Sequence, residues 1–252
     1  MTIQNSTAMK AFIIPLFIAL TASFFSCKPV EIAVDPSLNA QPMPVKGRQG
    51  LQIGQVIRYG DFKTDKVHRG WTRSYDVPFV VRFRGAKEKL SFTQFGPEGQ
   101  AAEVSCISKF KSTEIMTVRE YFSVPVKIEN FFAGNIAFGK DKPNWDFILY
   151  NPNGDFLRED ASAGYIQNGS KRIELQAIRG LKGQADWMKQ LTVYGHEFRY
   201  EGKVVAAVST INNGKVWIDD SLDAETKTVI AAVATGLLLR NDVEDTAVDT
   251  VK

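Results

Sequence analysis

The sequence predicts a mainly β protein in which about 12 antiparallel strands close into a barrel around a hydrophobic C-terminal helix. Three features predict it. From residue 51 onward, runs of four to nine residues rich in β-branched and aromatic side chains alternate with turn signals. No helical pattern of 10 to 15 residues falls between those runs, so a parallel βαβ sheet is not expected. Near the end, Val229–Leu239 reads VIAAVATGLLL, 11 residues with no charge and no amphipathic face.

In chain order, the first element is an address. Residues 1–10 are polar with one lysine, and AFIIPLFIALTASFFS then runs 16 residues without a charge to Cys27. A spanning helix needs about 20 apolar residues, and Pro15 interrupts this run, so residues 1–26 read as an export signal. The stretch Phe24-Phe25-Ser26-Cys27 resembles a bacterial lipobox, which implies that Cys27 becomes the lipidated mature N-terminus. Phe24 and Phe25 depart from that pattern, which prefers Leu and a small residue there. Lipidation leaves Cys106 without a disulfide partner, and its place among Val104, Ile107 and Phe110 makes it a small buried apolar residue. Residues 27–49 hold Pro29, Pro36, Pro42 and Pro44 and read as a flexible tether. Lys28 follows the cysteine where enterobacterial lipoproteins retained at the inner membrane have an aspartate, so the resemblance implies the outer membrane, facing the periplasm, if the cell has two membranes.

The barrel domain is expected over residues 50–242. Strands are read at 51–60, 67–73, 76–85, 88–96, 102–110, 117–128, 135–139, 145–151, 155–160, 163–168, 172–178, 190–200, 203–211 and 215–219. Asn151-Pro152-Asn153-Gly154, Asn168-Gly169, Glu201-Gly202 and Asn213-Gly214 supply the tight turns that join antiparallel neighbours.

The helix is read over residues 222–240, with a disordered tail at 243–252. At about 1.5 Å per residue, 11 apolar residues cover roughly 16 Å, while a bilayer core needs about 30 Å. The helix is thus too short to span and too apolar to lie on water. A helix that is hydrophobic all round must be covered all round, and among β architectures a barrel of about 11 or 12 strands has room for one along its axis. Ala231, Ala232, Ala234 and Gly236 would let bulky wall residues approach it. Asp219, Asp220, Asp223 and Glu225 fall where the helix begins, and Ser221 or Asp223 can cap it.

The segment YGHEFRYEGKVVAAVSTINNGKVWIDDSLDAETKTVIAAVATGLLLR is a hairpin, a short strand, an acidic turn and an apolar helix. That order resembles the tubby C-terminal, LURP-one-related and phospholipid-scramblase proteins, whose fold is a 12-stranded barrel around a hydrophobic helix. The likeness would cover residues 50–242. It carries over no individual functional residue; in tubby proteins basic side chains on the barrel surface bind phosphoinositides, lipids an exported bacterial protein does not meet.

Chemistry is sparse. Formal charge is +3, and loss of the leader with Lys10 leaves 30 Lys and Arg against 28 Asp and Glu, a balance that gives no nucleic-acid signal. His68 and His196 are the two histidines, neither with a second at metal-ligand spacing, and Tyr200 stands where HExxH needs its second His. Gly134–Lys140 has phosphate-loop spacing, but Asp141 replaces the Ser or Thr and no helix follows, so it reads as a hairpin. No catalytic residue, metal or cofactor is expected.

Basic residues gather at Lys63, Lys66, Arg69 and Arg73, and again at Arg82 and Arg84. They form a solvated β face or a cationic patch for anionic headgroups or acidic glycans. The expected function is a lipid-anchored envelope protein, without catalysis, whose exterior contacts a lipid, a glycan or an envelope protein. Two alternatives stay open: a lipocalin-like carrier of an apolar ligand, with the helix outside the barrel, and a hydrolase using His68 or His196 with dispersed carboxylates.

Overall fold

The computed structural model describes residues 30–49, 52–70, 88–110, 117–118, 122–123, 130–139, 142–150, 164–185 and 192–240. Glu31–Lys252 form a compact unit that carries the barrel with its own core.

Strands β1 (Met43–Pro44), β2 (Arg58–Tyr59), β3 (Phe62–Thr64), β4 (His68–Arg69), β5 (Glu88–Phe95) and β6 (Ala101–Phe110) come first. A small ribbon follows, β7 (Thr117–Val118) with β8 (Phe122–Ser123). Then come β9 (Asn130–Ala137), β10 (Trp145–Tyr150), β11 (Gly164–Gln167), β12 (Arg172–Ile178), β13 (Gly195–Tyr200), β14 (Lys203–Ser209) and β15 (Lys215–Ile218). The chain enters helix α1 at Ala224 and leaves it at Leu239.

Twelve strands follow one antiparallel path, β1-β15-β14-β13-β12-β11-β10-β9-β6-β5-β3-β2, with β4 alongside β5. The two ends of that path meet. Lys46, two residues past β1, donates its N–H to the Arg58 carbonyl at 2.8 Å, and Arg58 returns the bond to the Lys46 carbonyl at 3.1 Å. This single bridge nearly closes the barrel and shortens the free sheet edges, by which β proteins limit edge-to-edge association. Hairpins join neighbours as the turn residues require: between β13 and β14, Glu201 and Gly202 both take positive φ, 50° and 79°. Those angles are the primed turn whose twist matches the flanking strands.

Helix α1 lies inside, where its composition demands. Thirteen of its 16 residues are buried, and Val229, Ile230, Ala231, Ala232, Val233 and Ala234 share a core with the inner faces of the strands. Asp223 caps it, its carboxylate accepting the Thr226 N–H at 2.8 Å. Small residues set the fit: a β-carbon on Gly236 would stand 3.0 Å from the Phe132 ring and 3.4 Å from the Cys106 sulfur. Cys106 is buried there as a small apolar residue. Among the described residues no helix is long and apolar enough to cross a membrane.

One polar network ties helix to wall. The Tyr59 hydroxyl donates to the Ala231 carbonyl at 2.8 Å and lies 2.9 Å from the Thr235 hydroxyl, which donates to Gln94 Oε1 at 2.8 Å. The Gln94 amide in turn donates to the Lys63 and Phe95 carbonyls. Burial pushes the Tyr59 hydroxyl well above its usual pKa, so it stays protonated as a donor. Tyr59→Phe keeps the ring and removes the bonds, so stability should fall by about 1–2 kcal/mol, read by denaturant unfolding. An unchanged midpoint would mean the network is energetically idle.

Two segments differ from expectation. Residues 31–46 were expected within the tether, yet they are part of the barrel: Ile32 is buried with Ile178, Ala207 and Trp217, and β1 completes the wall. The reason is the apolar outer face of Trp217 and Ala207, which Ile32, Val34, Leu38 and Ala40 cover. Backbone bonds from Ala33 N–H to Gly180 and from Lys182 N–H to Glu31 pin the segment down. Residues 117–128, read as one wall strand, instead contain β7 and β8, which pair with each other and not with the barrel. Strands read at 76–85 and 155–160 lie outside the described residues.

Candidate functional site

Three short stretches meet at the closure of the barrel, and in each the side chains alternate in and out. Val45, Ile57, Tyr59, Phe62 and Thr64 are buried and point inward. Lys46, Arg58 and Lys63 lie between them and are exposed on the outer wall. Pairing places them in line: Lys46 is opposite Arg58, Arg58 opposite Lys63, and Lys63 opposite Phe95. The Lys63 ammonium sits 5.6 Å from the centre of the Phe95 ring, a cation–π contact.

Directly opposed side chains have Cβ atoms about 5 Å apart, where like charges repel. Several other surface cations are compensated, as Lys142 is by Glu225 and Lys171 by Asp223. Lys215 rests on Glu31 and Arg199 on Glu197 in the same way. Among the described residues no carboxylate lies within ion-pair distance of Lys46, Arg58 or Lys63. The row therefore projects positive potential outward and can hold an anionic group by charge and hydrogen bonds together.

The residues expected to form a basic patch divide. Lys63 belongs to the row, and Lys66 is exposed in the turn that follows β3. Arg69 serves the end of the helix instead, since its Nη2 donates to the Leu239 carbonyl at 3.1 Å and to Gln55 Oε1 at 3.3 Å. Arg48 Nε donates to the Leu238 carbonyl at 2.8 Å, so two guanidiniums satisfy the last carbonyls of α1, where the helix dipole favours cations. Arg73, Arg82, Arg84 and the lipidation candidate Cys27 lie outside the described residues. Lys46 and Arg58 were missed by sequence reasoning. Alternation alone gives their outward direction, but that they stand beside Lys63 depends on which strands close the barrel.

The remaining titratable groups have structural surroundings. The acidic cluster holds the start of α1: Glu225 accepts from Trp145 Nε1 at 3.1 Å and pairs with Lys142 at 3.0 Å. Burial alone would raise the Asp223 carboxyl, but the Lys171 ammonium and the Thr226 N–H and hydroxyl outweigh it and hold it at about 2. His68 is exposed on β4 opposite Ser91, beside a shallow depression lined by Asp65, Thr93, Glu103 and Ser105. The Asp65 carboxylate is already taken by the Thr93 N–H and hydroxyl, at 2.7 and 2.9 Å.

His196 is 3% exposed on β13, opposite Ala177 and Val208, and neither ring nitrogen has a hydrogen-bond partner among the described residues. Burial first, then the charges of Arg240 and Arg179, lower its pKa to about 3. At neutral pH it is thus an uncharged imidazole buried in the wall. Gly134–Ala137, the start of the phosphate-loop look-alike, lies in β9. Among the described residues, no group of three His, Cys, Asp or Glu is placed to hold a metal ion.

The class these features define is an antiparallel barrel filled by its own C-terminal helix, with a cationic row across its closure. No family model, no curated protein and no solved structure matches the chain.

Proposed function

We propose that the chain is a lipid-anchored protein of the cell envelope that works by binding and not by catalysis, meeting an anionic partner through the barrel exterior. The observation that carries this reading is the position of α1. It occupies the space in which a lipocalin-like carrier would hold an apolar ligand, so recognition falls to the outer wall. On that wall Lys46, Arg58 and Lys63 form a row of exposed cations with no carboxylate at ion-pair distance among the described residues. The environments of the two histidines supply no assembled catalytic pair: His196 is buried and neutral, and of the two carboxylates that line His68's depression, Asp65 and Glu103, the first is committed to Thr93. The likeness of the C-terminal segment to the tubby and scramblase group supports a lipid-facing barrel.

The anchor is Cys27, and the expected site is the outer membrane, facing the periplasm, in a cell with two membranes. Growth of the producing cells with labelled palmitate should place label on the wild-type chain and none on Cys27→Ser. Absence of label from the wild type would remove the anchor from this reading.

A further inference from the structure

From the wall geometry we infer that β1, β2 and β3, beside the segment that covers β15, form the face that lies against the membrane holding Cys27, with Lys46, Arg58 and Lys63 on its anionic headgroups. This rests on the anchored, exterior-binding reading above and assigns its partner. Two independent features lead to it.

The first is the length of chain outside the barrel. Had residues 27–49 been a free tether, the 22 residues beyond Cys27 could reach roughly 75 Å at about 3.4 Å per residue. The folded unit instead begins at Glu31, held on Lys215 and Lys182, with Ile32 buried against the wall. Glu31 is only four residues beyond Cys27, at most roughly 14 Å of extended chain. So short a leash limits how far Glu31 can stand from the lipidated residue.

The second is where the leash joins and what stands beside it. Lys215, on β15, is the Cα partner of Pro44 on β1, and Lys46 follows two residues later. Glu31, Lys46, Arg58 and Lys63 thus mark four neighbouring strands of the closed wall. Surface potential decays over about one Debye length, about 10 Å in moderate salt, so the row feels it only when the barrel turns this side to the headgroups, which a leash of roughly 14 Å joined beside the row allows. Lipid chains on one residue plus a basic patch supply the two signals that stable membrane attachment requires. Opposed cations on short strands also discourage pairing with another sheet, but that role predicts no preference between lipids.

The test uses the lipidated full chain in phosphatidylcholine vesicles with and without phosphatidylglycerol. Amine acetylation followed by mass spectrometry reads each lysine. Lys46 and Lys63 should react on the order of fivefold more slowly when phosphatidylglycerol is present, and Lys203, exposed at the start of β14, should not change. High salt should abolish the difference, and Arg58→Glu with Lys63→Glu should return Lys46 to the rate seen without anionic lipid. Equal rates in both vesicles, on a chain that stays bound, would overturn the wall assignment and leave the anchor intact. Protection by a soluble acidic polysaccharide, and not by phosphatidylglycerol, would overturn it in favour of a glycan. Release of an unlabelled chain from the vesicles would instead overturn the anchor, and with it the leash.

Discussion

Val233→Asp should abolish folding. Val233 is fully buried in the middle of α1, in a core shared with the inward side chains of both halves of the barrel. A carboxylate there gains no partner, and an uncompensated buried charge costs about 3–5 kcal/mol or more, comparable to the whole stability of many domains. The expected result is insoluble protein or loss of the cooperative thermal transition. Val233→Ala, which removes two methyl groups without adding charge, should fold and lose about 1–3 kcal/mol. A helix packed on the outside of the barrel could turn the aspartate to water, and its melting temperature would shift by a few degrees. That outcome would put the ligand back inside.

Acid should weaken the protein before its carboxylates titrate, because of His196. In the unfolded chain this imidazole takes up a proton near pH 6.5, whereas in the folded wall it does so near pH 3. A depressed histidine stabilises the fold fully above the unfolded pKa, and the contribution is lost as pH falls toward the folded value. Between pH 6.5 and 3 the unfolded state binds one proton more, so stability should drop by about 1.4 kcal/mol per pH unit, up to roughly 5 kcal/mol in all. Asp223 acts lower: its carboxyl is held at about 2, so its contribution fades as pH passes from its ordinary value of 3.8 toward 2. Denaturant unfolding at a series of pH values separates the two. His196→Leu should flatten the limb above pH 4 and leave stability at neutral pH equal or higher, since it also removes two unpartnered buried nitrogens. A limb of the same slope in the leucine variant would assign the acid sensitivity elsewhere.

The elements most legible in the sequence were those with a strong local pattern. Helix α1 was read to within two residues at its start and one at its end, because Asp223 caps it and its apolar run has no interruption. The strands around Phe92, Val104, Phe147, Ile173 and Val208 alternate or pack densely enough to declare themselves, and so do the hairpins at Asn168-Gly169 and Glu201-Gly202. β1 was hidden because Pro42 and Pro44 look like a spacer; its two residues owe their pairing to β15 and to no propensity of their own. β3 was hidden in a turn-rich stretch, YGDFKTDK, where Phe62 is an isolated inward residue.

The candidate site followed the same division. Lys63 and Lys66 stood out because they are close in sequence, and so did Arg69, although its guanidinium serves the end of α1. Lys46 and Arg58 carried no local sign of sharing a site with them.

By itself the sequence determined that this is a β protein with a greasy helix that water and bilayer both refuse, for burial and strand pattern are written in side chains near one another in the chain. What the tertiary structure alone decided is which strands meet at the closure. Register between residues far apart depends on the cooperative pairing of the whole sheet, and that pairing sets three cations side by side and turns a supposed tether into wall.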